Sequence, residues 1–89
     1  MAWRIEYAES VQKSVRRLAR QVQRRLRDFL EVRLAGMDDP RQLGAAMRGT
    51  RQRDLWRYRV GNYRIIAEID DKRIRILVIR IAHRRDVYR

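Results

Sequence analysis

Cysteine is absent from the 89-residue chain, and there is a single histidine. Disulfides, thiolate metal sites and a cysteine nucleophile are therefore excluded, and so is a histidine-rich metal centre. The sequence calls for no metal and no organic cofactor. No apolar run approaches the roughly 20 residues that cross a bilayer. The opening stretch, MAWRIEYAES, has no signal-peptide core. A cytoplasmic protein with no membrane partner is the expectation. Proline occurs once and glycine four times, too few for a linker-rich or low-complexity chain. Lysine is nearly missing as well: only Lys13 and Lys72 stand among 23 basic residues, and the other 21 are arginine.

Acidic residues number 11, which leaves a formal net charge of +12. Hydrophobic residues make up 45% of the chain, enough to exclude a wholly disordered polymer. The size suits one small domain, spanning residues 1–89. Arginine offers a planar fork of donors that matches phosphate and never loses its charge. A small domain this basic points first to nucleic acid, then to an anionic membrane surface, then to an acidic protein. GC-rich codon usage would explain arginine over lysine, but not two cations for every anion. The excess is uneven: residues 1–47 hold ten cations and six anions, residues 48–89 thirteen and five.

The hydrophobic pattern predicts an α+β fold in the order β-α-α-loop-β-β-β, with the helices on one sheet face and a basic open face opposite. Trp3 to Tyr7 alternates as a half-buried strand does. From about Glu9 the spacing becomes helical: Val11, Val15 and Leu18 form one stripe, and Val22, Leu26, Phe29 and Leu30 a second. A hairpin broken near Arg20-Gln21 buries both stripes against one sheet. Gly36 is placed to end the second helix in the left-handed region. Met37 to Pro40 reads as a turn, and residues 40–53 as an ordered loop crossing the sheet. Leu55 to Val60 alternates again, Gly61-Asn62 is a tight-turn pair, and Tyr63 to Ile69 returns. Asp70-Asp71-Lys72 turns into Arg73–Ala82, where Ile76 to Ile79 reads as a strand buried on both faces. Trp56, Tyr58 and Tyr63 read as packing residues rather than platforms for bases.

On this layout Arg57 and Arg59 share a strand face, since residues two apart point the same way. The turn brings Arg64 back beside them, and Arg84, Arg85 and Tyr88 leave one edge of the same sheet. Phosphate-binding cations beside an aromatic ring are the ingredients of single-stranded RNA recognition. The segments LWRYRVGNYRIIAEIDD and ILVIRIAHRRDVYR resemble the RelE/ParE superfamily of type II toxin–antitoxin toxins, the RelE branch in particular. Tyr63-Arg64 and the tail from His83 to Tyr88 carry the most specific part of the likeness. The resemblance implies a toxin that enters the ribosomal 30S A site and cleaves mRNA there, arresting translation. It also implies a cognate RelB-like antitoxin, through which alone the pair meets operator DNA.

The resemblance places Arg57 and Arg59 at two basic positions usually held by lysine. It places Arg64 and Arg84 on the scissile phosphate, and Tyr88 against the mRNA nucleotide. Arginine is not deprotonated in a protein, so neither Arg57 nor Arg59 serves as general base. That leaves Tyr88, His83, or a reaction driven mainly by positioning and charge. Arg16, Arg17, Arg20, Arg24, Arg25 and Arg27 form a dense basic face on the helices, either simply solvated or, with Arg85, docked on ribosomal RNA. Two other functions fit the same composition: a ParE-like toxin acting on DNA gyrase without cutting RNA, and a non-catalytic basic RNA-binding module.

Overall fold

The computed structural model describes residues 2–47 and 54–87. The chain runs β1 (Arg4–Tyr7), α1 (Glu9–Arg16), α2 (Arg20–Arg27), β2 (Ala45–Ala46), β3 (Leu55–Val60), β4 (Tyr63–Asp70), β5 (Arg75–His83) and α3 (Arg84–Val87). A π-helical stretch, Asp28–Leu34, prolongs α2, and a 3₁₀ turn, Pro40–Leu43, precedes β2. The strands form one sheet in the order β1-β5-β4-β3-β2. β1 lies parallel to β5 and the other neighbours are antiparallel. The expected α+β plan is therefore present, with the helical hairpin on one sheet face.

The alternation in the strands decides which side chains the helices cover. Tyr58 and Val60 of β3, Ile65, Ala67 and Ile69 of β4, and Ile76 and Val78 of β5 are buried. They meet Val11 of α1 and Leu26, Leu30 and Leu34 of the second helix in one apolar cluster. The two stripes thus converge on one sheet face, the arrangement that removes most apolar surface from water. The ring of Phe29 packs edge-on to Tyr58 at 5.9 Å. Tyr7 ties β1 to the π-helical stretch by donating to Glu31 at 2.5 Å. Burial, then that hydrogen bond, push the Tyr7 phenol above its ordinary pKa.

Four expectations need correcting. The helical break lies at residues 17–19 rather than Arg20-Gln21, because α2 already begins at Arg20; Gln23 Nε2 caps the turn by donating to the Leu18 carbonyl at 2.8 Å. Gly36 does follow the helix, but among the described residues only Gly61 is a glycine with positive φ. What needs Gly36 is space: a Cβ there would stand 3.0 Å from the Val32 carbonyl oxygen. The segment after Pro40 is not all loop: it forms the 3₁₀ turn and then the edge strand β2, paired to β3, while residues 48–53 of the expected crossing loop lie outside the described residues. Ile76 to Ile79 is not buried on both faces. Ile76 and Val78 are buried, while Leu77 and Ile79 are half-exposed.

The far end of the sheet is closed by a polar knot. Arg41 of the 3₁₀ turn reaches Asp54, just before β3, and Asp71 in the β4–β5 turn. Trp56 Nε1 donates to the same Asp54 at 2.6 Å, and the Arg41 guanidinium lies 5.9 Å from the Trp56 ring centre. Beneath it the buried Tyr58 hydroxyl donates to the Pro40 carbonyl at 2.9 Å.

Two tests follow from this end of the molecule. Tyr58→Phe removes this hydrogen bond and is expected to cost about 1 kcal/mol in urea unfolding; an unchanged midpoint would contradict the bond. Partial desolvation raises the Asp54 carboxyl, but the hydrogen bonds from Arg41 and Trp56 outweigh it and hold the group below the usual carboxylate range. A carboxyl lowered by folding stabilises fully above its unfolded pKa, about 4, and that stability is lost as pH falls through the lower folded value. Asp54→Asn should therefore flatten the dependence of the unfolding midpoint on pH below about pH 4. Parallel pH profiles for variant and parent would count against the knot.

Candidate active site

At the near end of the sheet the open face gathers cations. The register aligns Arg59 of β3 with Arg64 of β4, and Arg64 with Ala82 of β5. Two residues after Ala82 the chain enters α3, and the Arg84 amide donates to the Asn62 carbonyl at 2.6 Å. This bond fastens the start of α3 to the β3–β4 turn. Arg59, Arg64 and Arg84 consequently line one depression of about 220 Å³ with Gly61, Asn62 and Tyr63. Among the described residues no carboxylate lines it. Guanidinium groups gathered in one place raise the local positive potential, and such a place attracts a phosphate.

The turn itself is specified locally. Gly61 has φ +58°, and glycine at the first central position of a two-residue hairpin favours the turn whose twist matches the strands. The guanidinium of Arg25, on α2, lies against it: a Cβ on Gly61 would stand 2.8 Å from Arg25 Nη1. Arg25, Arg33 and Arg59 share a second depression on that side of the turn, together with Asp28. The basic surface thus continues from the open face around the hairpin tip onto α2.

The other predicted residues divide. Arg57 is exposed on the open face, one row further from the tip, where it aligns with Ile66, and it does not line the depression. His83 is not brought to the arginines. It aligns with Tyr63 on the helix-covered side, packs edge-on to that ring at 5.2 Å, and accepts the Arg85 amide at its Nδ1 at 3.1 Å. It lines a different depression, with Ser10, Ser14 and Arg17 of the α1 region. Arg16 borders a fourth, with Arg27, between the two helices. Arg20, Arg24 and Arg85 are exposed and line none of these. Tyr88 lies outside the described residues.

Arg80 was missed by the sequence reading. It is exposed and aligns with Ile66, so it shares the open face with Arg57, and at the β5 edge it also borders the depression that holds His83 and Arg17. The cause is a β-bulge. The pairs Ile66–Arg80 and Ala67–Val78 leave Ile79 as an extra residue. Strict alternation from Ile76 would put Arg80 on the covered face and His83 on the open one. The extra residue exchanges them, as bulges re-aim side chains. A charged residue breaking an apolar run was the available signal.

A family model described as the ParE toxin of the type II toxin–antitoxin system parDE matches residues 5–88. The chain is a type II toxin of the RelE/ParE family. A comparison with curated protein sequences finds no match. Among solved structures the toxin is similar to the archaeal RelE–RelB complex from Pyrococcus horikoshii, at 27% identity and TM-score 0.69 over 94% of this chain and 97% of the other. It shares its fold with the RelBE2 toxin–antitoxin complex from Mycobacterium tuberculosis, at 18% identity and TM-score 0.81 over 93% and 92%. The isolated E. coli RelE toxin also shares the fold, at 21% identity and TM-score 0.68 over 92% and 84%. Among the described residues no helix is long and apolar enough to cross a membrane, and no group of side chains is arranged to hold a metal ion.

The hairpin tip gives a direct test. Gly61→Ala forces an alanine into the left-handed region and against Arg25, and should cost about 1–2 kcal/mol in urea unfolding. Equal stability of parent and alanine variant would contradict the turn.

Proposed function

We propose that this toxin is a ribosome-dependent endoribonuclease that cuts mRNA in the 30S A site. The observation that carries the reading is the convergence of Arg59, Arg64 and Arg84, from three elements, on one depression. RNA offers the matching chemistry. The ribose 2′-oxygen attacks the neighbouring phosphorus and gives up its proton. The bond to the 5′-oxygen breaks, and that oxygen takes up a proton. A 2′,3′-cyclic phosphate and a 5′-hydroxyl result. Negative charge grows on the non-bridging oxygens during the attack. Arg64 and Arg84 hold those oxygens, and Arg59 adds a third cation where the charge develops. No arginine accepts the proton, and His83 stands on the other side of the sheet. Positioning and charge therefore supply most of the rate, with Tyr88 stacking on the nucleotide as the family likeness implies.

A cognate antitoxin of the RelB type neutralises the toxin, as in the RelE–RelB complexes it resembles, and carries the pair to operator DNA. The family model itself is named for ParE, which keeps one second reading open: a toxin of DNA gyrase that leaves RNA intact. Induction of the gene in a bacterial host, with mapping of mRNA 5′ ends, separates the two. Codon-phased cuts are expected. Arg64→Ala and Arg84→Ala should each lower cleavage by about 10²–10³-fold, while His83→Gln retains it. Intact mRNA with DNA damage would overturn the nuclease reading.

A further inference from the structure

The open face carries a second row of cations, and that row has no role so far. Arg57 and Arg80 both align with Ile66, one from each neighbouring strand. Both are exposed, whereas Ile66 between them is half-buried. Neither arginine makes an ion pair with another described residue. Strands lie about 4.8 Å apart, so the two backbones flank Ile66 at about 9.6 Å. Two long side chains leaning inward from that span close around one phosphate group over an apolar floor. The row is two residues from the Arg59–Arg64 row, a step of about 6.7 Å along the strand, comparable with the step between neighbouring phosphates of an extended RNA strand.

The next row changes character. It aligns Leu55, Glu68, Leu77 and Glu6, and holds no cation. Beyond it the charges are balanced: Glu6 pairs with Arg4 at 2.8 Å and with Arg75 at 3.5 Å, and Asp70 pairs with Arg73 at 3.1 Å. The positive track therefore has an end.

We propose that Arg57 and Arg80 form a second phosphate site next to the scissile one, so that the open face grips two consecutive phosphates of single-stranded RNA. This rests on the RNA reading above and adds the extent of the footprint. Arg80 becomes a substrate-positioning residue, and Arg57 acts with it rather than at the reacting phosphate.

The test is the binding of labelled 2′-O-methyl oligonucleotides, which present phosphates but cannot be cut. Fluorescence anisotropy is followed against salt for the parent and for R80A, R57A/R80A and R73A. Each phosphate neutralised on a single strand contributes about 0.7 to the slope of log K against log salt. The double variant should lose about 0.7 of slope on a hexanucleotide, R80A part of it, and R73A none. On the parent, slope should rise from one phosphate to two. Arg80→Lys should keep the slope. A parental slope in the double variant, or no rise from one phosphate to two, would overturn the second site. Failure of the function reading looks different: uncut mRNA in vivo with the two-phosphate slope retained contradicts the nuclease and leaves the second site standing.

Discussion

The Gly61–Asn62 turn determines where the principal cations stand. It places Arg59 and Arg64 side by side on antiparallel strands. Its Asn62 carbonyl holds the Arg84 amide, and so fixes the start of the C-terminal helical turn. Its bare Gly61 lets Arg25 lie across the tip from the helical layer. Three arginines distant in sequence reach one depression because a single short loop is bonded on both sides. Such a site is built into the backbone, which is the condition for electrostatic stabilisation without reorganisation at the moment of reaction.

The distribution of charge gives the sheet a direction. At the far end arginines meet carboxylates: Arg41 with Asp54 and Asp71, Arg75 with Glu6 and Asp70. Those pairs knit turns and strands into a frame. At the near end, among the described residues, three arginines and no carboxylate line the depression. The net charge of +12 on 89 residues is thus unevenly placed, with ion pairs at one end of the sheet and the arginine-lined depression at the other.

Much of this was legible in the amino acids. The helical stripes, the alternation of Trp56, Tyr58 and Val60, and the Gly61-Asn62 pair led to the helical hairpin and the meander, and placed Arg59, Arg64 and Arg84 together. What escaped depended on register. The bulge at Ile79 reverses the parity of β5, sending Arg80 out and His83 in, and nothing in a period of two announces an extra residue. The edge strand Ala45–Ala46 escaped because two alanines carry no alternation; the ladder with Arg57 and Trp56 defines them. The end of the second helix was misassigned in kind rather than place, since crowding at Gly36 leaves the same mark as a left-handed cap.

The central claim is that Arg59, Arg64 and Arg84 act on one phosphate. Side-chain guanidinium NMR signals, followed while a 2′-O-methyl dinucleotide is added, test it most directly. The account predicts that these three signals shift together along one saturation curve, with Arg4, Arg16 and Arg73 unmoved. Separate curves for the three, or larger shifts at Arg16 between the helices, would contradict it.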